Sequence, residues 1–236
     1  MTLRIEGKPS PNHDARPAGT APDMLILHYT GMTSAEAAIA RLCDPAARVS
    51  SHYVVEEDGR LWRLVPEERR AWHAGESFWA GRRDINAHSI GVEIVNPGHE
   101  FGYRPFPAAQ MDAVAALAKE ISARNPILPR FVIGHSDVAP HRKQDPGELF
   151  DWAWLARQGV GLFPDFAAAR AETPRDLAEA QAALARIGYE IPVTGVLDQR
   201  TAQVLIAFQR HYRPRDCSGT LDDETGRRIG VLAASV

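Results

Sequence analysis

The stretch over residues 134–152, Gly-His-Ser-Asp-Val-Ala-Pro-His-Arg-Lys-Gln-Asp-Pro-Gly-Glu-Leu-Phe-Asp-Trp, carries His135, Lys143 and Asp145 within one loop's reach of each other. An imidazole and a carboxylate are two of the three nitrogen- and oxygen-type ligands that hydrolytic zinc sites use, with a fourth position kept for water. A lysine on the same rim would add a positive charge. The competing reading makes His135 a strand-end histidine, Asp145 a turn residue ahead of Pro146, and Lys143 a solvated surface charge.

Elements that would bring such groups together flank this loop. The apolar run Phe131, Val132, Ile133 places His135 at the exit of a buried strand, and a loop containing Pro and Gly carries Lys143 and Asp145 back towards it. Met24, Leu25, Ile26 and Leu27 form a second apolar run, suited to a central strand buried on both faces. His28 follows it directly. A histidine there is either a core residue with its hydrogen bonds met or a third ligand, and a second metal-competent strand exit at His135 favours the ligand. In the run over residues 90–95, Ile90, Val92 and Ile94 share one face, so Glu93 points the other way and Gly91 leaves room beside it. A carboxylate in an apolar strand is costly without a partner cation or a task such as general base.

The remaining pattern alternates helices with short strands. Thr33 and Glu36 read as a capping box opening a helix to Leu42. Residues 49–56 and 61–65, joined through Asp58-Gly59, read as a β-hairpin. Side chains alternate along a strand, so His52 and Tyr53 take opposite faces; Tyr53 is expected near the site and His52 in a structural part. Residues 66–88 lack periodicity and hold Trp72, His73, Phe78 and Trp79, aromatic surfaces that suit either a sugar or peptide ligand or the domain core. Pro107 opens an amphipathic helix to about Arg124, and Asp151 a short one. Residues 1–22, with four prolines and two glycines, read as an irregular surface lead-in.

Residues 159–172 turn to Gly, Pro and Ala, as a linker does, and Thr173-Pro174 reads as a cap and first-turn proline. Three helices follow, over residues 174–187, 198–212 and 222–233, with apolar stripes such as Leu177, Ala180, Leu184 and Ile187. The predicted fold is therefore α/β (α+β): a central mixed sheet flanked by helices over residues 1–158, a linker over 159–172, and a small all-α three-helix domain over 173–236.

Bulk properties exclude several classes. A net charge of −3 leaves no basic footprint for nucleic acid. No run approaches the roughly 20 apolar residues of a membrane span. Two distant cysteines, Cys43 and Cys217, make neither a disulfide framework nor a thiolate metal site. The polar stretch over residues 1–11 has no signal-peptide core, which read literally places the protein in the cytoplasm, the alternative being a periplasmic protein whose export signal was removed. A Gly-x-Ser-x-Gly nucleophile elbow is missing too, which weakens a metal-independent hydrolase reading.

The blocks Ser10-Pro-Asn-His-Asp14 with Arg16-Pro17, Leu27-His-Tyr29, Val49-Ser-Ser-His-Tyr53, Ala71-Trp-His-Ala-Gly75, Ser89-Ile-Gly-Val-Glu93 and the loop after Gly134 resemble, in order and spacing, zinc-dependent N-acetylmuramoyl-L-alanine amidases of the AmpD/AmiD type over roughly residues 8–156. The resemblance implies one Zn²⁺ per chain on His28, His135 and Asp145, with Glu93 as general base and Lys143 as oxyanion stabiliser. It implies a substrate groove lined by the 66–88 loop, with Tyr53, Trp72, His73 and Asn86 as substrate-binding candidates. It also implies hydrolysis of the amide between N-acetylmuramic acid, or its anhydro form, and L-alanine in peptidoglycan fragments (muropeptides), for cell-wall turnover or recycling. From Gln181 through Gly188-Tyr189, Thr194-Gly195, Asp198, Thr201 and Phe208-Gln209 to Gly219, Asp222 and Thr225, the chain resembles the three-helix peptidoglycan-binding module. A helical appendage that stabilises the first domain or a dimer is the other reading of that segment. A non-catalytic peptidoglycan recognition protein is the alternative for the whole chain.

Overall fold

The computed structural model describes residues 3–236. Its strands are β1 (Ile5–Gly7), β2 (His13–Ala15), β3 (Met24–Tyr29), β4 (Tyr53–Val55), β5 (Leu61–Arg63), β6 (Arg69–Ala71), β7 (Ser89–Ile94) and β8 (Val132–Gly134). Six of them form one mixed sheet in the order β1-β5-β4-β7-β3-β8, and β2 pairs with β6 apart from it. Parallel pairing joins β3 to both β7 and β8 and joins β4 to β7, while β5 runs antiparallel to β4 through the Asp58-Gly59 turn. Met24 to Leu27 are wholly buried, as an unbroken apolar run in a central parallel strand requires.

The helices are α1 (Ala35–Cys43), α2 (Ile85–His88), α3 (Gly98–Phe101), α4 (Ala108–Arg124), α5 (His135–Val138), α6 (Trp152–Arg157), α7 (Leu177–Ile187), α8 (Gln199–Tyr212) and α9 (Asp223–Ala233). The stripe Val114, Leu117, Ala118 and Ile121 of α4 is buried in the main core with Ile90, Val92 and Ile94. Ile39 and Leu42 of α1 pack instead with Val54, Leu64 and Val95. Val54 and Glu93 are register partners, as are Glu93 and His28, so Glu93 and His28 lie on the α1 side of the sheet.

Four local expectations need correction. The lead-in contains β1 and β2, held because Ile5 and Glu6 pair with Leu61 and Trp62 and because His13 and Asp14 pair with Ala71 and Arg70. The stretch 66–88 accordingly contains β6, and α2 as well. The cap of α1 is Ser34, whose hydroxyl accepts from the Ala37 N–H at 3.1 Å. The cap of α7 is Asp176 rather than Thr173; its carboxylate accepts from the Glu179 N–H at 2.9 Å, which sets the helix start three residues later than Pro174.

Helices α7, α8 and α9 form a helical unit. Asp198 and Asp222 cap α8 and α9 as Asp176 caps α7. Two buried glutamines fix its loops: the Gln181 carbonyl accepts from the N–H groups of Thr194 and Gly195, and that of Gln209 from Gly219, all at 2.8 Å. Among the described residues, no helix is long and apolar enough to cross a membrane.

Candidate active site

His28 ends the apolar part of β3, and His135 is the first residue after β8, the strand beside it. Side-by-side strand exits put both imidazoles at one edge. Asp145 returns on the following loop, closed by the Ser136 N–H donating to the Asp145 carbonyl at 2.9 Å. The three donor atoms make a nearly equilateral triangle: His28 Nδ1 to His135 Nδ1, His28 Nδ1 to Asp145 Oδ2, and His135 Nδ1 to Asp145 Oδ2 are each 3.0 Å. Ligands about 2.0–2.1 Å from a tetrahedral zinc lie roughly 3.3 Å apart, so spacing and donor types both fit that ion. Among the described residues this is the one group of three ligating side chains gathered so closely.

Protonation states agree with that use. Burial, and after it the neighbouring His135, pulls the His28 pKa down to about 4, so its imidazole is neutral and its lone pair free. Burial pushes the Asp145 carboxyl up, but His135 and His28 outweigh this and hold it well below the usual carboxylate range.

A second ring of contacts fixes the imidazoles. With Nδ1 of His28 turned to the triangle, Nε2 carries the proton and donates to His73 Nδ1 at 3.0 Å. His73 Nε2 donates to the Ser89 hydroxyl at 3.2 Å, and Ser89 donates to the Ile85 carbonyl at 2.7 Å. His135 Nε2 donates to the Ala74 carbonyl at 3.0 Å. The His73 ring lies against Gly91, where a Cβ would come within 2.5 Å of it, so the glycine of the Ile90-Gly-Val-Glu93 strand is needed for this approach.

Glu93 sits beside His28 on the neighbouring strand, half-buried, and its Oε2 has no hydrogen-bond partner. Burial, then the Asp145 charge, raises its pKa well above the ordinary value, and Lys143 works against both. Lys143 is half-buried and, with Glu93 and the triangle, lines a cleft of about 550 Å³. That size suits a small ligand. Trp72 lines it too, its indole N–H donating to Asp14 at 3.2 Å.

Three substrate-binding expectations meet a different arrangement. Tyr53 pairs in register with Val92, not Glu93, so it faces the α4 side, where its hydroxyl donates to Glu67 at 2.8 Å and receives Arg124. His52 holds the site face instead, accepting from the Gly91 N–H at 2.9 Å beneath His73. Asn86 is buried and spends its carbonyl on the His73 and Ala74 N–H groups at 3.0 and 2.7 Å. His73 has both ring nitrogens engaged, as above, and is buried where it borders the cleft. Trp79, left open between a ligand surface and the core, is buried against Tyr189.

Two arginines, Arg16 among the family-like blocks and Arg142 in the metal loop, had no role assigned from sequence. Arg16 fans over the carbonyls of Asn86, Ala87 and Ser89 at 3.1, 2.7 and 2.8 Å, fixing the entry to β7. Arg142 donates to the Ala74 and Glu76 carbonyls, bracing the backbone that His135 touches. Their signal is weak, since each binds carbonyls that no side-chain pattern announces.

Comparison with known proteins adds the following. Residues 18–148 match the family model described as N-acetylmuramoyl-L-alanine amidase, and residues 173–229 match that of a peptidoglycan binding domain. The chain is 42% identical over 222 residues to the N-acetylmuramoyl-L-alanine amidase AmiD of Escherichia coli strain K12, an alignment spanning 86% of this chain and 79% of that one. The solved complex of that species' AmiD with the substrate anhydro-N-acetylmuramic acid-L-Ala-D-gamma-Glu-L-Lys superposes with a TM-score of 0.80 at 38% identity, covering 93% of this chain and 92% of that one. The Pseudomonas aeruginosa AmpDh3 complex with an anhydromuramic pentapeptide gives 0.82 at 36% identity, covering 93% and 94%.

Proposed function

The chain belongs to the N-acetylmuramoyl-L-alanine amidase family, and from that premise we propose that it hydrolyses the amide between N-acetylmuramic acid, or its anhydro form, and L-alanine in peptidoglycan fragments, using one zinc ion on His28, His135 and Asp145. The observation that carries the reading is the 3.0 Å triangle of two imidazole nitrogens and a carboxylate oxygen, with an unpartnered Glu93 oxygen beside it.

An amide resists water because its carbonyl is a poor electrophile and its nitrogen a poor leaving group. Zinc, when bound, supplies Lewis acidity that polarises the carbonyl and lets water lose its proton near neutral pH. Glu93 takes that proton from the attacking water and hands it to the departing nitrogen, which leaves as the amine of L-alanine. Burial suits it to the first half of the exchange, since a carboxylate whose pKa is held above its ordinary value takes a proton more readily. The Lys143 ammonium, on the cleft wall, balances the negative charge that grows on the carbonyl oxygen. Trp72 offers an aromatic face to the sugar or the stem peptide. Turnover or recycling of wall fragments is the setting this chemistry fits. A protein that only recognised peptidoglycan would have no use for a desolvated carboxylate beside a ligand triangle.

Incubation of the full chain with an anhydromuramyl tetrapeptide, followed by mass spectrometry, tests the reading. Release of free tetrapeptide with an L-alanine amino terminus and of intact anhydro-N-acetylmuramic acid is expected; release of single amino acids, or an uncut ligand, would overturn it.

A further inference from the structure

One buried carboxylate next to the ligand triangle takes no part in the chemistry above. Asp137 lies on α5, two residues after His135, and is 1% exposed. Within its own domain its Oδ2 accepts from the Gly134 N–H at 2.8 Å. Its remaining partners come from the helical unit: the Tyr189 hydroxyl donates to Oδ1 at 2.6 Å, and His211 Nδ1 lies 2.8 Å from Oδ2. Without those residues Oδ1 would be desolvated and unpaired, an arrangement that costs more than most contacts repay.

The same unit reaches the far end of the metal loop. Arg210 donates to the side-chain Oε1 of Gln144 at 2.9 Å, the residue immediately before Asp145, and lies 3.6 Å from Glu148 just beyond it. Supporting contacts are apolar and close. The His211 ring stacks on Trp152 with centroids 3.9 Å apart. Gly188, where a Cβ would come within 2.6 Å of Trp79, lets the two surfaces meet, and the Ala80 N–H donates to the Gly188 carbonyl at 2.9 Å.

We propose that the helical unit is a positioning element for the metal site: Tyr189 and His211 grip Asp137 at the start of the His135-to-Asp145 loop, Arg210 grips Gln144 at its end, and the loop holds ligand geometry because both ends are tied across the domain junction. This rests on the assignment of His28, His135 and Asp145 as metal ligands. It gives residues 173–236 a task in the first domain's chemistry separate from any hold on the cell wall. Outer contacts that orient ligands typically change metal affinity 10- to 100-fold when removed.

The test uses the full chain and its Tyr189→Phe, His211→Ala, double, His211→Asn and Arg210→Ala variants, and reads zinc affinity by chelator competition and the rise in Tm on adding zinc. A contact that merely stabilised the fold would lower Tm equally with and without zinc and leave that rise unchanged. Expected is a loss of zinc affinity of about 10-fold or more in the double variant. The zinc-induced rise should shrink with it. His211→Asn, whose amide can replace the Nδ1 donor, should restore most of the loss. Arg210→Ala, at the junction's edge and least able to disturb folding, should weaken zinc several-fold. Affinity within twofold of the parent in the double and Arg210→Ala variants would overturn the proposal while leaving the ligand assignment standing. A parent chain whose Tm zinc does not raise would instead remove the ligand assignment, and this proposal with it.

Discussion

His28 and Glu93 are register partners on adjacent parallel strands, so a metal-competent imidazole and an unpartnered carboxylate oxygen project from the same face of the sheet, one strand spacing of about 4.8 Å apart. Backbone pairing therefore holds the proposed ligand and the proposed base, and neither depends on a loop. Glu93→Gln keeps size and shape but cannot take a proton. It should lower kcat by about 10²–10⁴ while the chain still carries one zinc. Steady-state kinetics with metal analysis checks this, and near-normal turnover would remove Glu93 from the role of base.

Lys143 contributes charge rather than contact in the resting chain, and its ammonium pulls against the raised pKa of Glu93. Lys143→Met should cost roughly 10²–10³ in kcat and leave KM nearly unchanged, the pattern of an interaction made only in the transition state. A rise in KM with kcat preserved would make Lys143 a substrate anchor instead.

Gly91 makes room for His73, and His73 orients His28. Gly91→Ala puts a methyl group where the His73 ring stands. The expected result is a 10- to 100-fold loss of zinc affinity in a chain that still folds. Chelator competition measures it; unchanged affinity would mean that His28 needs no such support.

Buried neutral histidines make stability depend on pH. Burial pulls the His52 pKa down to about 3, so between about pH 3 and 6.5 the unfolded chain binds a proton at this residue that the folded chain refuses. Its contribution to stability is complete above pH 6.5 and drains away as pH falls, at roughly 1.4 kcal/mol per pH unit well inside that window. Replacing it by Gln should flatten the fall in stability between pH 6 and 4 relative to the parent, by on the order of 2 kcal/mol. Denaturant melts at several pH values read this, and parallel curves would contradict it.

The strands that matter most were legible because their signal is local: Met24 to Leu27 and Ile90 to Ile94 are apolar runs whose pattern needs no partner to interpret. The three C-terminal helices announce themselves similarly through apolar stripes, and α8 and α9 through their Asp caps, whereas the α7 cap read at Thr173 lies at Asp176. The edge strands β1 and β2 were not legible, since three-residue strands among prolines exist only through the partners they find. For Tyr53 and His52 the alternation of faces was readable, but which face met the cleft depended on the register with β7. The grip of Tyr189 and His211 on Asp137 lay beyond sequence reasoning for the same cause: it joins residues 52 and 74 positions apart.

Metal content against activity tests the central claim most directly. Zinc titrated into chelator-stripped chain, with amidase activity followed at each addition, should restore activity in proportion to bound metal and saturate at one ion per chain, while His28→Ala neither binds nor recovers. Full activity in the stripped, zinc-free chain would contradict the account.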